Sequence, residues 1–171
     1  MLFRSHDNIP LLRAAVADAQ KRGCEVVMHC GDIVAPSTLA TIQRYGLPIY
    51  AIHGNNTGDL YTMSRLSHKT DSLIHYYGQD AAFTLAGKRI FLVHYPHYAK
   101  AMAVTAEYDL VCCGHTHSTE ITHIANIAGN HTVMVNPGTV GGVGGVAPTY
   151  IIGDLETLEF EVVQVPTETN I

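Results

Sequence analysis

The sequence is poor in charged residues and has no excess of basic ones. Charged residues make up 15% of the chain, and the formal net charge is −5. Because nucleic-acid backbones and anionic lipids select basic patches, this balance argues against general nucleic-acid binding and against a membrane-surface protein. No apolar run approaches the ~20 residues of a membrane-spanning helix, and Met1-Leu2-Phe3-Arg4 is too short for a signal peptide.

The cysteines do not form the pattern of a small secreted protein. They are Cys24, Cys30, Cys112 and Cys113, and the adjacent pair fits neither a disulfide framework nor a Cys-x-x-Cys zinc knuckle. A reducing cytoplasm is therefore the expected location. With 171 residues, of which 47% are hydrophobic, the chain can bury a substantial core, and we expect a single domain over residues 1–171.

Two motifs of ester and phosphate chemistry are also missing. Gly-x-Ser-x-Gly does not occur, so no serine nucleophile is indicated. The glycine-rich segment 141–145 lacks the Lys-Ser/Thr of a P-loop, and we interpret it as a flexible rim loop. Histidine, in contrast, is abundant, with 11 residues in the chain.

Helical and strand patterns alternate in the first half of the chain and give way to hairpins in the second half. Helices are predicted over 9–22, 36–45, 59–66 and 98–106. Strands are predicted over 25–29, 48–53, 73–77, 81–85, 89–93, 109–113, 120–127, 131–135, 149–155 and 159–165. We therefore expect an α/β protein in which two sheets pack face to face with helices outside.

Four of the buried strand patterns end in a side chain that can bind a metal ion. Asp32, Asn55 and His94 each follow one such strand, and His115 and His117 follow another. In an open α/β sheet, ligands bind at this carboxyl edge. An extended segment would hold His115 and His117 side by side, and a carboxylate such as Asp32 can bridge two cations ~3.5–4 Å apart.

The order of these motifs resembles the calcineurin-like metallophosphoesterases, and the short length resembles their small bacterial and archaeal phosphodiesterase branch. The resemblance runs from Ser5-His6-Asp7-Asn8 to Asn136-Pro137-Gly138-Thr139. Its most specific motif is Gly114-His115-Thr116-His117. The resemblance implies a four-layer αββα sandwich of two mixed β-sheets flanked by helices, with the turn 136–139 packed under the metal loops.

The resemblance also implies a metal-dependent phosphodiesterase or phosphatase that acts on a small phosphate ester by attack of a metal-bridging hydroxide. One metal would be held by Asp32, Asn55, His94 and His115, and the other by His6, Asp32 and His117. Mixed imidazole, carboxylate and amide ligands suit Mn, Fe, Ni, Zn or Co better than Ca or Mg. One or two divalent ions are expected, and whether the chain forms a homo-oligomer is left open.

The sequence departs from the family pattern after the motif asparagine. Many members carry a histidine there, suited to protonating the leaving group or binding phosphate, whereas this chain has Asn56. We take Asn56 and His97 as the candidate catalytic residues, with His97 as the proton donor and a surface histidine as the alternative.

A second departure lies at the start of the chain. His6 aligns with the histidine of the family's Asp-x-His motif, but Arg4 stands where the ligand aspartate is expected. Either the first strand is truncated, or a metal ligand and a central strand have been lost. We expect the metal held by His6, Asp32 and His117 to bind more weakly than the other, unless Asp7 substitutes for the missing carboxylate.

Two functions are consistent with these patterns. The first is the metal-dependent phosphodiesterase or phosphatase. The second is a non-catalytic protein-binding scaffold of the same fold, similar to a subunit of eukaryotic retromer, with a degraded metal site. Six of the seven family ligand positions considered are retained, which favours the enzyme.

Overall fold

The computed structural model describes residues 1–166 and arranges them in two mixed β-sheets with helices on the outer faces. The helices are α1 (Ile9–Lys21), α2 (Pro36–Ile42), α3 (Leu60–Ser67) and α4 (Pro96–Val104), and a 3₁₀ turn (Gln43–Tyr45) follows α2. The strands are β1 (Leu2–Phe3), β2 (Val27–His29), β3 (Ile49–Ala51), β4 (Ile74–Tyr76), β5 (Asp80–Leu85), β6 (Lys88–Val93), β7 (Leu110–Cys112), β8 (Thr119–Ala125), β9 (His131–Pro137), β10 (Thr149–Asp154) and β11 (Glu159–Gln164).

The first sheet has the strand order β11-β10-β1-β2-β3-β4. β1, β2, β3 and β4 run parallel to one another, whereas β10 pairs antiparallel with β1. β1 is only 2 residues long, yet it lies at the centre of the sheet, with Leu2 opposite Ile151 on one side and Met28 on the other. The central strand that the sequence left in doubt is therefore present in short form.

The second sheet has the order β5-β6-β7-β9-β8. β6, β7 and β9 are parallel, and β5 and β8 form the antiparallel edges. The predicted two-sheet α/β fold is confirmed. The hairpin pattern did not reveal that β9 pairs with β7 in parallel, or that β10 and β11 extend the first sheet.

Three apolar layers fill the core: one lies between the two sheets, and one lies between each sheet and its helices. Alternate residues of a strand point to opposite faces, so Phe3 packs under the helices of the first sheet while Leu2 packs between the sheets. A third cluster, including Phe91 and Ala99, joins α4 to the second sheet. Burying each large side chain contributes roughly 1.5–3 kcal/mol, and these layers hold the strand ends in place.

Local sequence signals explain most helix bounds. The Asn8 side chain caps α1 by accepting the N–H of Leu11 at 3.3 Å, and Pro10 lies in the first turn. α4 begins at Pro96 rather than at the predicted residue 98, because a proline in the first turn loses no helical hydrogen bond. Within residues 1–166, no helix is long and apolar enough to cross a membrane.

His29, at the end of β2, connects two loops through a buried neutral imidazole. Its Nδ1 accepts the N–H of Gly31 at 3.2 Å, so its Nε2 carries the proton and donates to Ser5 Oγ at 2.9 Å. The ring has an exposed fraction of 0%, and burial lowers the pKa of His29 to about 3. Below its ordinary pKa of about 6.5, His29 takes up a proton in the unfolded chain and not in the folded one.

We predict that His29→Gln flattens the pH dependence of stability. The contribution of a neutral His29 is fully present above about pH 6.5 and is lost as the pH falls towards about 3, at up to ~1.4 kcal/mol per pH unit. Urea unfolding at pH 7 and pH 5, in buffer with a chelator, measures the difference. His131→Gln, at an exposed histidine, is the control, and an unchanged slope in His29→Gln contradicts the assignment.

Candidate functional site

Loops at the carboxyl ends of five strands meet at one edge of the molecule. β1, β2 and β3 of the first sheet lead to His6, Asp32 and Asn55, and β6 and β7 of the second sheet lead to His94 and His115. Because both sheets present their carboxyl ends on the same side, side chains from distant parts of the chain come together there. The base of the site is buried at Asp32 and His94, whereas Asn55 and His115 are exposed at its mouth.

Four oxygen and nitrogen atoms converge where the ring of His94 meets Asn55, Asp32 and His115. Asn55 Oδ1 lies 2.9 Å from His94 Nε2 and 2.9 Å from His115 Nδ1. Asp32 Oδ1 lies 3.4 Å from His94 Nε2 and also accepts the backbone N–H of Asn56 at 3.0 Å. Spacings of about 3 Å are typical of atoms that share one cation, since metal–ligand distances are about 2.0–2.2 Å.

The protonation of His94 determines which atoms of this cluster are acceptors. Nδ1 lies 2.8 Å from the carbonyl oxygen of Cys30, which only accepts, so Nδ1 carries the proton. Burial lowers the pKa of His94, so the ring is neutral and Nε2 presents a lone pair. This lone pair faces the Asn55 and Asp32 oxygens, which are also acceptors. Three acceptors without a hydrogen between them favour a bound cation.

A second group of side chains surrounds the other oxygen of Asp32. Asp32 Oδ2 lies 3.4 Å from His6 Nε2 and 3.4 Å from Arg4 Nη1. The rings of His6 and His117 have centroids 5.0 Å apart, and His117 Nδ1 donates to the carbonyl of Val143 at 2.9 Å. Burial, and then the Arg4 guanidinium, lower the pKa of His6, whose Nε2 is buried without a hydrogen-bond partner.

The two groups fit metal ions unequally. Within residues 1–166, no three His, Cys, Asp or Glu side chains alone form a group that could hold a metal ion. The amide oxygen of Asn55 supplies the missing ligand of the first group, which fits one divalent cation. The second group does not fit as well, because Arg4 already sets a positive charge beside Asp32 Oδ2. Asp7 Oδ2 accepts the N–H of Ala35 at 2.6 Å, whereas Asp7 Oδ1 is buried without a hydrogen-bond partner, so Asp7 stays a candidate to replace the missing carboxylate.

Strained backbone marks the same loops. Positive φ angles occur at five non-glycine residues of the site, which are His6 (45°), Asp7 (54°), Asp32 (58°), His115 (70°) and His117 (65°). The predicted extended arrangement of His115 and His117 is therefore wrong, because left-handed turns after β7 direct the two rings to different partners. Such conformations cluster at functional sites.

Two glycines allow the loops to approach each other. A Cβ atom at Gly31 would lie 2.5 Å from His94 Nδ1, and one at Gly54 would lie 2.6 Å from His94 Cε1. A glycine directly before Asp32 and another directly before Asn55 are the sequence signal that marks this close approach.

Asn136 supports the loop that carries His115. Its Nδ2 donates to the carbonyl of Gly114 at 2.8 Å and to Thr116 Oγ1 at 2.9 Å, while its Oδ1 accepts the N–H of Gly138 at 3.2 Å. The turn 136–139 thus packs against the loop after β7, as the resemblance implies.

Asn56 and His97 lie at the edge of the cluster. Asn56 contacts Asp32 through its backbone N–H, and its side chain is exposed. His97 is exposed in the first turn of α4, where its ring lies 4.1 Å from that of Tyr98 and 5.6 Å from that of Tyr95. In the part of the chain that the structure describes, no hydrogen bond or ion pair joins His97 to Asp32, Asn55 or His94.

A cavity of about 500 Å³ adjoins His94. Its wall includes the aromatic and apolar side chains of Phe91, Tyr95, Tyr98 and Met102, together with the polar side chains of His53, Gln79 and Asp80. A larger cavity of about 1020 Å³ lies around Met1 and Tyr50, at the opposite edge of the sheets, and contains none of the predicted site residues. The smaller cavity is the one placed to receive a molecule bound at the cluster.

Comparisons with known proteins agree with this geometry. The model of the calcineurin-like phosphoesterase superfamily domain matches residues 4–158. A phosphodiesterase of Methanocaldococcus jannaschii is 27% identical over 164 residues, which cover 91% of this chain and 92% of that protein.

Solved structures share the fold over nearly the whole chain. A novel archaeal phosphodiesterase superimposes with a TM-score of 0.85 at 22% identity, covering 95% of this chain and 97% of that one. The phosphoesterase YfcE of E. coli gives 0.63 at 17% identity, with 97% and 98% coverage. Vacuolar Protein Sorting 29 of Cryptosporidium parvum gives 0.59 at 14% identity, with 95% and 93% coverage. At these identities the likeness shows the fold alone, whereas the family model covers most of the sequence. The chain therefore belongs to the calcineurin-like phosphoesterase superfamily.

Proposed function

We propose that this protein is a metal-dependent phosphodiesterase that hydrolyses a small phosphate ester. The observation that carries the proposal is the convergence of Asp32 Oδ1, Asn55 Oδ1 and His94 Nε2, three acceptors that favour a shared cation. Membership of the superfamily supports phosphoester hydrolysis, and the phosphodiesterase of Methanocaldococcus jannaschii, at 27% identity, supports a diester as the substrate.

One divalent cation would be held by Asp32, Asn55, His94 and His115. When bound, it would act as a Lewis acid for the phosphoryl oxygens and activate a water molecule. The mixed donor set suits Mn, Fe, Ni, Zn or Co. The chain's own residues position this group: the Cys30 carbonyl fixes the tautomer of His94, and the Asn56 N–H holds the Asp32 carboxylate.

The reaction needs an attacking oxygen, a stabilised phosphate and a proton for the leaving group. The water oxygen bonds to phosphorus, the ester P–O bond breaks, and the alcohol leaves with a proton. The aromatic cavity beside His94 offers room for the carbon group of the ester. His97 lies on α4 at the same edge and is our candidate for the proton donor.

A non-catalytic scaffold of the same fold is the second candidate. The likeness to Vacuolar Protein Sorting 29 supports it at the level of the fold. A scaffold has no need for four metal-binding side chains in register or for strained loops around them, so we favour the enzyme.

We predict that Asp32→Asn and His115→Ala each lower phosphodiester hydrolysis at least ~100-fold while the fold remains intact, because each removes a direct metal ligand. A chromogenic phosphodiester measures the rate, and circular dichroism checks the fold. Asp154→Asn and His131→Ala are matched controls, since both residues are exposed at the opposite edge of the sheets. Full activity in both site variants contradicts the assignment.

Removal of metal provides an independent test. Dialysis against a chelator should abolish hydrolysis, and addition of Mn²⁺ or a similar divalent ion should restore it, because the acceptor cluster then regains its shared cation. The same assay measures both steps. If metal-free protein hydrolyses the ester as fast as the restored protein, the proposed mechanism is wrong.

His97→Ala tests the proton donor. The rate should fall more for esters with poor leaving groups than for esters with good ones, because acid catalysis matters most when the departing oxygen is basic. A series of aryl and alkyl phosphodiesters measures this difference. An equal loss across the series indicates that His97 positions the substrate and does not transfer a proton.

A further inference from the structure

Arg4 is a charged side chain in an environment that leaves it without hydrogen-bond partners. It follows β1 directly, and its exposed fraction is 0%. Nε, Nη1 and Nη2 are buried, and none forms a hydrogen bond to another described residue. A buried donor that is left unpaired is destabilising, and a buried charge more so. The burial of this charge therefore needs a reason other than stability.

The position of Arg4 is fixed by packing. Its carbonyl accepts the N–H of Val140 at 2.8 Å, which ties the backbone to the loop after β9. Its side chain passes Gly114 so closely that a Cβ atom there would lie 3.3 Å from Arg4 Cδ. These contacts hold the arginine beside His6 and Asp32, which argues against a side chain that is buried there by chance.

The only ion pair of Arg4 within residues 1–166 is with Asp32, at 3.4 Å between Nη1 and Oδ2. The other oxygen of Asp32 faces His94. A second divalent cation beside Oδ2 would share one carboxylate with the first cation and would meet a positive guanidinium. A phosphate held at the mouth of the site by the first cation would, in contrast, be attracted by the charge of Arg4.

We propose that the Arg4 guanidinium is a permanent second cation of this site, whose positive charge attracts the substrate phosphate while a single metal ion occupies the group around His94. This inference rests on the proposed function. Arginine remains charged at any physiological pH. In this role Arg4 acts through its charge and not by direct contact, because its nitrogens are buried, and Asp32 orients it.

Metal content gives the first test. Purified protein loaded with excess Mn²⁺ and desalted should retain about one ion per chain, and Arg4→Asp should retain about two, because a carboxylate replaces the repelling charge. Arg4→Met should retain about one, since it removes the charge and adds no ligand. Elemental analysis measures the content. Two tightly held ions in the unchanged protein overturn the proposal.

Binding of inorganic phosphate gives the second test and needs no turnover. With Mn²⁺ bound, Arg4→Met should bind phosphate at least about 10-fold more weakly than the unchanged protein in isothermal titration calorimetry, and Arg4→Lys, which keeps the charge, should bind it nearly as well as the unchanged protein. Arg13→Met, at an exposed arginine of α1, is the control and should bind as the unchanged protein does. Equal phosphate affinity in Arg4→Met and the unchanged protein overturns the proposal.

Thermal unfolding with and without phosphate separates this role from a structural one. Arg4→Met leaves the buried charge of Asp32 uncompensated and should lower the melting temperature of metal-free protein in either case. With Mn²⁺ bound, added phosphate should raise the melting temperature of the unchanged protein more than that of Arg4→Met, and an equal rise in both overturns the proposal. If Arg4→Met does not fold, the structural role is supported and the proposal fails. Hydrolysis is measured separately. If the unchanged protein is active and holds two ions, only the role of Arg4 is overturned. If it is inactive but holds one ion and binds phosphate, only the proposed function is overturned.

Discussion

Asp32 is the one carboxylate at the base of a cluster of imidazoles, and the arrangement of the site depends on how its buried charge is compensated. With an exposed fraction of 1%, it is removed from water, so positive or donor groups must face both oxygens. Oδ1 receives the N–H of Asn56 and faces His94, while Oδ2 faces His6 and Arg4. The carboxylate thus divides the site into one part that presents only acceptors to a cation and one part that already contains the cation of Arg4.

The scaffold creates this convergence by aligning the carboxyl ends of two separate sheets. The apolar layer between the sheets fixes their spacing, and the loops must then turn sharply to bring their side chains together. Left-handed backbone at Asp32 and His115, and the lack of a side chain at Gly54, are the cost of that approach. Such strain persists because the rigid strands on either side leave the loops few alternatives.

A metal ion and a guanidinium compensate phosphate charge in different ways. A metal ion polarises oxygen strongly and can activate water, but its affinity depends on pH and on metal supply. A guanidinium does not activate water, yet it is covalently part of the chain and its charge does not depend on metal supply. A site with one of each needs only the group around His94 to be loaded. The aromatic cavity beside that group would then recognise the carbon portion of the ester by its shape.

The sequence by itself determined the order of helices and strands, because hydrophobic periodicity and turn residues are local. It also indicated Asp32, Asn55, His94 and His115 as neighbours, because each follows a buried strand and carboxyl ends of strands are where ligands bind. Only the tertiary structure decided that these strands belong to two different sheets, since pairing between distant segments leaves no local signal. The environment of Arg4 was also decided by the tertiary structure. The sequence shows arginine where the family pattern has a carboxylate. Its burial and its position beside Asp32, which depend on every surrounding segment, are visible only in the tertiary structure.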